Sequence, residues 1–207
     1  MRREITKKYM DKYSLGVVDI ENSLALYNSF YKNMGFSGTI QDLIEKKLEE
    51  KVFVSVMDIG CGNGGFLSEL KKEFDEQVHT IGVDLLAPEK QPDKVIIGDA
   101  LEVEYPKEVD FIFSFRSLHE VGESAKMVKK IYNSLANGGK AFLSFRTMDM
   151  YVGSIGIAEI GQKDISELEK MVRARKFENF MVGGFEVSVK DEKGKKHTAG
   201  INLFLEK

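Results

Sequence analysis

Short apolar runs alternate with segments of helical periodicity along most of the chain after residue 50. The runs are rich in β-branched residues, as expected of parallel strands that are buried on both faces. They predict strands at 52–57, 78–83, 95–97, 109–115 and 141–145. Apolar residues spaced three or four apart predict helices at 66–74, 123–136 and 165–177. Asn137-Gly138-Gly139 is expected to end the second of these helices, because glycine commonly follows a helix.

The two ends of the chain depart from this alternation. Residues 1–50 carry two helical patterns separated by a glycine-containing break, with Thr39 or Asp42 near the start of the second helix. Tyr27 belongs to the first pattern and is interpreted as part of a packing face, although it is also a candidate to close a ligand pocket. At the other end, 180–189 and 201–205 flank a turn-rich stretch, which predicts an antiparallel hairpin.

Strands that alternate with helices are typical of an α/β sheet covered by helices on both faces. We therefore predict a Rossmann-like, doubly wound sheet of about seven strands with a C-terminal antiparallel hairpin. Residues 1–50 form an N-terminal helical cap of the same domain in this interpretation, and residues 51–207 form its main part.

Composition adds several exclusions. Of the 207 residues, 43% are hydrophobic and 30% charged, which is typical of a globular domain. The formal net charge of −3 argues against nucleic acid as the partner, because such proteins usually show a basic balance. Cys61 is the sole cysteine, so no internal disulfide forms, and no apolar run approaches the roughly 18 residues that span a bilayer. We expect a cytoplasmic protein without a membrane partner.

Candidate chemistry begins where the first predicted strand enters a glycine-rich turn, Asp58-Ile-Gly-Cys-Gly-Asn-Gly-Gly. The glycines let the backbone approach a ligand closely, and the following helix offers unpaired N–H groups to an anion. Nicotinamide and flavin folds share these features, so the turn alone does not identify the ligand.

Asp58 narrows the choice of ligand, because this position is normally apolar in a dinucleotide-binding strand. A buried carboxylate requires hydrogen bonds or a cation. S-adenosylmethionine carries an ammonium and a sulfonium group, whereas a pyrophosphate would be repelled. In the alternative interpretation Asp58 caps the N–H groups of the turn, and the two roles are compatible.

Two further acids follow predicted strands. Asp84 lies 24 residues after Gly60, close to the interval of about 20 at which an acid meets a ribose diol. Asp99 follows the third strand, where a carboxylate could accept from an adenine amino group. The alternatives are a surface acid for Asp84 and an Asx-turn for Asp99. In open α/β sheets, ligands bind at the edge formed by the carboxyl ends of the strands.

These segments together resemble the successive motifs of class I S-adenosylmethionine-dependent methyltransferases. The resemblance covers residues 52–146 and includes the glycine-rich segment, Asp84, Gly98-Asp99-Ala100, and the stretches at 110–121 and 135–143. It is most similar to the small-molecule branch of that superfamily. It implies methyl transfer from S-adenosylmethionine to a small-molecule acceptor, with an oxygen or nitrogen nucleophile. An RNA or protein methyltransferase, a non-catalytic binding module and a nucleotide oxidoreductase remain as alternatives.

The resemblance also implies roles for individual residues. Asp84 would hold the ribose, Leu85 would flank the adenine, and Asp99 with Ala100 would line its amino edge. Ser114 and Phe115 would pass close to the methionyl part. The methionine end would be held by Asp58 and by the turn residues Gly60, Cys61, Gly62, Asn63 and Gly64.

The sequence departs from the family pattern between Asp84 and Val95. This link is short and contains Pro88 and Pro92, so the usual helix is expected to be shrunken or missing. A similar link occurs in ribose-methylating RNA enzymes, which carry an aspartate at the end of the fourth strand and a lysine at the end of the fifth. Here those places read 114–116 (Ser-Phe-Arg) and 145–146 (Phe-Arg), which argues against RNA.

The candidate catalytic residues lie just after the fourth predicted strand. His119 has an unperturbed pKa of about 6.5, which suits a general base near neutrality. Arg116 could bind an acidic substrate group bidentately. In the alternatives His119 packs or caps a helix and Arg116 is a surface residue. The sequence indicates no metal site, and it leaves the acceptor and the oligomeric state open.

Overall fold

The computed structural model describes residues 23–115, 117, 124–145, 170, 172–174, 177–187 and 197–207. Its helices are α1 (Leu24–Asn33), α2 (Ile40–Leu48), α3 (Gly65–Phe74) and α4 (Ser124–Ser134). Its strands are β1 (Val54–Ile59), β2 (Val78–Asp84), β3 (Lys94–Ile97), β4 (Val109–Ser114), β5 (Leu135–Phe145), β6 (Asn179–Val187) and β7 (His197–Glu206). No helix in these ranges is long and apolar enough to cross a membrane.

The strands form one seven-stranded sheet in the order β3-β2-β1-β4-β5-β7-β6. Strands β1 to β5 pair in parallel, and β7 pairs antiparallel with both β5 and β6. The predicted doubly wound sheet and its C-terminal antiparallel hairpin are therefore confirmed. The chain crosses from β3 to β4 on the other side of β1, so β1 borders the switch point at which such sheets bind ligands.

Two apolar clusters cover the two faces of the sheet. Alternation along β1 sends Val54 and Val56 to the cluster formed with α1, α2 and α3, and sends Met57 and Ile59 to the cluster that contains the apolar residues of α4. Asp58 continues the face of Val54 and Val56. The side chain of Asp58, the first candidate binding residue, therefore points toward the N-terminal helices.

Strand β1 begins and ends two residues later than predicted. Val54 is the first residue paired with β2, opposite Val78, and the preceding Val52 is 89% exposed. As a result, Asp58 lies inside the strand, between Gly82 of β2 and Phe113 of β4. Its backbone is therefore paired with a neighbouring strand on each side.

Strand β5 also differs from the prediction, since it begins at Leu135 and α4 ends at Ser134. The pairing shifts from Val109–Leu135 to Phe111–Lys140, which leaves an irregularity around Gly139. A Cβ on Gly139 would lie 2.9 Å from the carbonyl oxygen of Val109. The expectation that 137–139 ends the helix is thus wrong, because these residues shape the strand. Most of the predicted helix 165–177 falls outside the described residues, with helical backbone at 170 and 172–174.

Helices α1 and α2 are fixed by polar contacts as well as by packing. Thr39 and Asp42 form the capping box of α2, in which each side chain accepts from the other residue's backbone N–H. The N–H of Leu24 at the start of α1 donates to Glu69 of α3 at 2.7 Å. The link over residues 85–93 contains no helix, as expected.

Candidate functional site

The carboxyl ends of β1 and β2 bring together the glycine-rich turn and two buried acids. Asp58 has no exposed surface and Asp84 is 6% exposed. The N–H groups of Gly60 and Cys61 both donate to the carbonyl of Val83, at 2.7 and 3.2 Å. The turn is therefore folded back onto the end of β2, where the two carboxyl groups lie on neighbouring strands.

Asp84 braces the glycine-rich turn. Its Oδ2 accepts from the N–H of Gly62 at 2.8 Å, and its Oδ1 accepts from the N–H of Leu86 at 3.3 Å. Burial raises the pKa of Asp84, while the backbone donors, including that of Leu85, oppose the rise. A carboxylate offers about four acceptor positions, so these bonds leave capacity for further donors.

Asp58 makes a different set of contacts. Its Oδ2 accepts from the hydroxyl of Tyr27 at 2.8 Å, and its Oδ1 is buried without a hydrogen-bond partner among the described residues. Burial raises the pKa of Asp58 to about 8, and the nearby Asp84 adds to the rise against the opposing Tyr27 hydrogen bond. Asp84, rather than Asp58, holds an N–H of the turn. Asp58 thus has room for one more donor or a positive charge.

Tyr27 places helix α1 directly at this site. Its ring stacks on Phe66 with the centroids 3.9 Å apart and meets Phe115 edge-on at 5.1 Å. Burial raises the pKa of Tyr27 well above its ordinary value, so the hydroxyl remains a donor. Sequence periodicity placed Tyr27 on a packing face but gave no sign of its bond to Asp58, which is 31 positions away.

The end of β4 packs onto the same turn. The hydroxyls of Ser114 and Ser117 both donate to the carbonyl of Ile59, at 2.8 and 2.7 Å. A Cβ on Gly60 would lie 2.2 Å from the Cβ of Ser117, so only glycine fits at this close approach. Phe115 is 3% exposed and belongs to the aromatic cluster around Tyr27. Ser114 and Phe115 therefore lie beside the turn together with Ser117, which no pattern in the sequence singled out.

The remaining turn residues contact the link between β2 and β3. The N–H of Lys90 donates to the carbonyl of Asn63 at 2.9 Å, and a Cβ on Gly64 would lie 2.1 Å from the carbonyl oxygen of Lys90. The side chain of Asn63 accepts from the N–H of Gly65 and so satisfies a donor at the start of α3. Cys61 is buried beneath β2, and burial raises the pKa of its thiol.

Asp99 and Ala100 are fixed at the end of β3. The Oδ1 of Asp99 accepts from the N–H of Leu101 at 2.9 Å, which is the Asx-turn considered as the alternative role. The carbonyl of Ala100 accepts from the Tyr105 hydroxyl at 2.7 Å and from the Lys130 ammonium at 2.9 Å. Helix α4 therefore helps to fix the backbone after β3 through Lys130. Arg116 and His119 lie outside the described residues.

Comparison with known proteins bears on this arrangement. The sequence profile of a family described as a methyltransferase domain matches residues 31–179. No curated protein sequence matches the chain significantly.

Several solved structures share the fold. A phosphoethanolamine N-methyltransferase 2 from Haemonchus contortus, in complex with phosphomonomethylethanolamine and S-adenosylhomocysteine, is 18% identical with a TM-score of 0.54, over 80% of this chain and 52% of that protein. The present chain thus spans about half the length of that enzyme. The YcgJ protein of Bacillus subtilis is 15% identical with a TM-score of 0.56, over 86% and 98% of the two chains. An S-adenosylmethionine-dependent methyltransferase from Archaeoglobus fulgidus is 16% identical with a TM-score of 0.53, over 86% and 99%.

Proposed function

Because the chain belongs to the methyltransferase domain family, we propose that it transfers the methyl group of S-adenosylmethionine to a small-molecule acceptor. S-adenosylmethionine is the cofactor, and the observation that best supports its place in this chain is the buried Oδ1 of Asp58, which has no partner in the described part of the chain.

The charge at the sheet edge fits this cofactor. A buried carboxyl whose pKa is raised to about 8 gains most from a nearby cation, and the cofactor carries an ammonium group that is both cationic and a hydrogen-bond donor. A pyrophosphate placed beside Asp58 and Asp84 would instead meet two buried acids. The site is therefore better suited to S-adenosylmethionine than to a dinucleotide.

The other candidate binding residues would contact different parts of the cofactor. Asp84 keeps acceptor capacity for the ribose hydroxyls, while Leu85, Asp99 and Ala100 lie at the ends of β2 and β3 and would border the adenine. The backbone of the turn at 60–64 would hold the methionine end. Ser114 and Phe115 would close the site from the side of β4.

Bound S-adenosylmethionine supplies a methyl group on a positively charged sulfur, which is already activated for displacement. The chain must align the acceptor, exclude water and, for an oxygen acceptor, remove a proton. Alignment can contribute about 7–11 kcal/mol in favourable systems. The aromatic cluster of Tyr27, Phe66 and Phe115 covers the Asp58 side of the site with apolar surface, which keeps water away from it.

Two features of this chain and one structural neighbour support a small-molecule acceptor. The formal net charge of −3 provides no overall basic surface for RNA. Strands β4 and β5 end at Ser114 and Phe145, where ribose-methylating RNA enzymes carry an aspartate and a lysine. The nematode enzyme with the same fold binds a phosphorylated amine, a small acceptor.

Acceptor class can be tested with methyl-labelled S-adenosylmethionine. The protein would be incubated with small-molecule, RNA and protein fractions of a cell extract, beside a sample that lacks the protein. We expect label to enter the small-molecule fraction. Label found in RNA or protein alone would overturn the small-molecule proposal, and salt-sensitive RNA binding would identify an RNA enzyme.

A general base at His119 is a separate proposal with its own test. If His119 removes the acceptor proton, His119→Ala should lower kcat by about 10²–10⁴-fold without changing the affinity for S-adenosylhomocysteine. His79→Ala is the matched control, because His79 is 49% exposed near the opposite end of β2. Undiminished turnover in His119→Ala would show that His119 is not the base.

A further inference from the structure

Tyr27 lies where the segments of the proposed cofactor site meet. Its hydroxyl bonds Asp58 of β1, its ring stacks on Phe66 at the start of α3, and its edge contacts Phe115 after β4. These three residues belong to different binding segments, whereas Tyr27 comes from a helix that precedes all of them. The contacts fix the ring and thereby hold its hydroxyl within 2.8 Å of Asp58 Oδ2.

The hydrogen bond from Tyr27 determines which further partner the Asp58 carboxyl requires. An ionised Asp58 accepts from Tyr27 at Oδ2 and still needs a donor at Oδ1. A protonated Asp58 carries a hydrogen of its own, which has no acceptor among the described residues if Tyr27 keeps donating to Oδ2. An added donor, such as an N–H group of a ligand, satisfies both oxygens. Tyr27 thereby reserves Oδ1 for a ligand.

On the basis of the proposed function, we propose that Tyr27 is a positioning residue. It holds the Asp58 carboxyl for the cofactor's ammonium group, and it couples the docking of α1 to cofactor binding. The same bond that orients Asp58 also favours its ionised form. Cofactor binding brings a positive charge to Asp58 and so favours its ionised form. An ionised Asp58 accepts more strongly from Tyr27 than a protonated one, which strengthens the attachment of α1.

Three titratable groups face Asp58, and two of them, Tyr27 and Asp84, shift its pKa. Tyr27 faces it from α1, Cys61 from the turn and Asp84 from β2, while α3 and β4 contribute the phenyl rings of Phe66 and Phe113. Asp84 raises the pKa of Asp58, and the Tyr27 hydrogen bond lowers it. Removing the Tyr27 hydroxyl should therefore raise the pKa of Asp58 above about 8.

The test compares Tyr27→Phe with the wild type by calorimetric titration with S-adenosylhomocysteine from pH 6.5 to 9.5. The substitution removes one oxygen and keeps the stacked ring. We expect the variant to bind about tenfold more weakly at pH 7, where a higher pKa leaves less Asp58 ionised, and within about twofold of the wild type at pH 9.5. The ligand's own amine titrates in the same range, but it affects both proteins equally and cancels in their ratio.

Tyr31→Phe is the matched control. Tyr31 lies one turn further along α1, is 6% exposed and stacks on Phe36 in the same apolar cluster. It should leave the affinity unchanged at every pH. In an Asp58→Asn background, Tyr27→Phe should lose its pH-dependent effect.

The outcomes separate this inference from the proposed function. If the folded wild type does not bind S-adenosylhomocysteine, the proposed function fails. If the wild type binds and Tyr27→Phe weakens binding equally at all pH values, or not at all, the function stands and the positioning role of Tyr27 is overturned.

Discussion

At the scale of the residue, Asp58 combines two properties that a purely structural side chain would avoid. It is fully buried, one of its oxygens has no partner within the ranges that the structure describes, and its pKa is raised to about 8. Burial of a carboxyl in this state lowers the stability of the fold and is useful only if a ligand restores the missing interaction. The same carboxyl should therefore favour cofactor binding and disfavour folding.

Asp58→Asn separates these two effects. The amide oxygen can still accept from Tyr27, but the negative charge is lost. Affinity for S-adenosylhomocysteine at pH 8 should fall about 10- to 100-fold, since a hydrogen bond to a charged group contributes about 1.5–3 kcal/mol. Titration calorimetry measures this change.

Asp93→Asn is the control for the loss of one acid. Asp93 lies on the link before β3, and although burial alone would raise its pKa, bonds from Thr80 and Lys71 lower it overall. Its substitution should leave cofactor affinity unchanged and reduce stability at pH 8. Equal affinities of Asp58→Asn and the wild type would contradict the role given to Asp58.

At the scale of the element, the glycine-rich turn is held from two sides. Ser117 approaches Gly60, and the carbonyl of Lys90 approaches Gly64. Short contacts of this kind leave no space for a Cβ, so they fix the position of the turn against β4 and against the link after β2. A rigid turn can present its backbone N–H groups to a ligand without rearrangement.

Gly64→Ala tests the contact with Lys90. Gly64 has a φ of +77°, and a Cβ there would lie 2.1 Å from the Lys90 carbonyl oxygen. Gly138 has a φ of +70°, and a Cβ there would meet no atom of a described residue within 4 Å. Gly138→Ala should cost about 1 kcal/mol for its backbone conformation alone. Gly64→Ala should cost about 2 kcal/mol more and weaken cofactor binding, because the added methyl group displaces the link. Denaturant unfolding gives the loss in the free energy of unfolding for both variants. Equal losses would show that the link over residues 85–93 moves aside without cost.

The elements also show what the sequence could and could not predict. Periodicity located the strands because parallel strands are continuous apolar runs, but it misplaced β1 by two residues. Val52 has the same apolar character as Val54, and only the pairing with Val78 decides where the strand starts. The sequence singled out Asp58, Asp84 and Asp99 because each of them follows a predicted strand. The bond between Tyr27 and Asp58 was not visible, because a contact between distant positions leaves no local pattern.

At the scale of the whole molecule, buried acids make stability depend on pH. Asp58 has an ordinary pKa near 3.8 when unfolded and about 8 when folded, so the folded protein binds more protons between these values. Its contribution to stability is present below pH 3.8 and is lost as pH rises through about 8. Burial also raises the pKa of Asp84, so this residue changes the stability with pH in the same direction.

Without cofactor, the free energy of unfolding should therefore fall by about 2 kcal/mol between pH 6 and pH 8.5. Asp58→Asn should flatten this slope, and saturating S-adenosylhomocysteine should reduce it in the wild type. Urea unfolding at several pH values measures the slope. A wild-type stability that rises over this range would contradict the burial of an ionisable Asp58.

Calorimetric titration of the folded protein with S-adenosylhomocysteine, beside NAD as a control, tests directly whether the site binds S-adenosylmethionine. We expect micromolar binding of S-adenosylhomocysteine and none of NAD, because the ammonium group complements Asp58 and a pyrophosphate does not. Absence of S-adenosylhomocysteine binding, or preferential binding of NAD, would contradict this expectation.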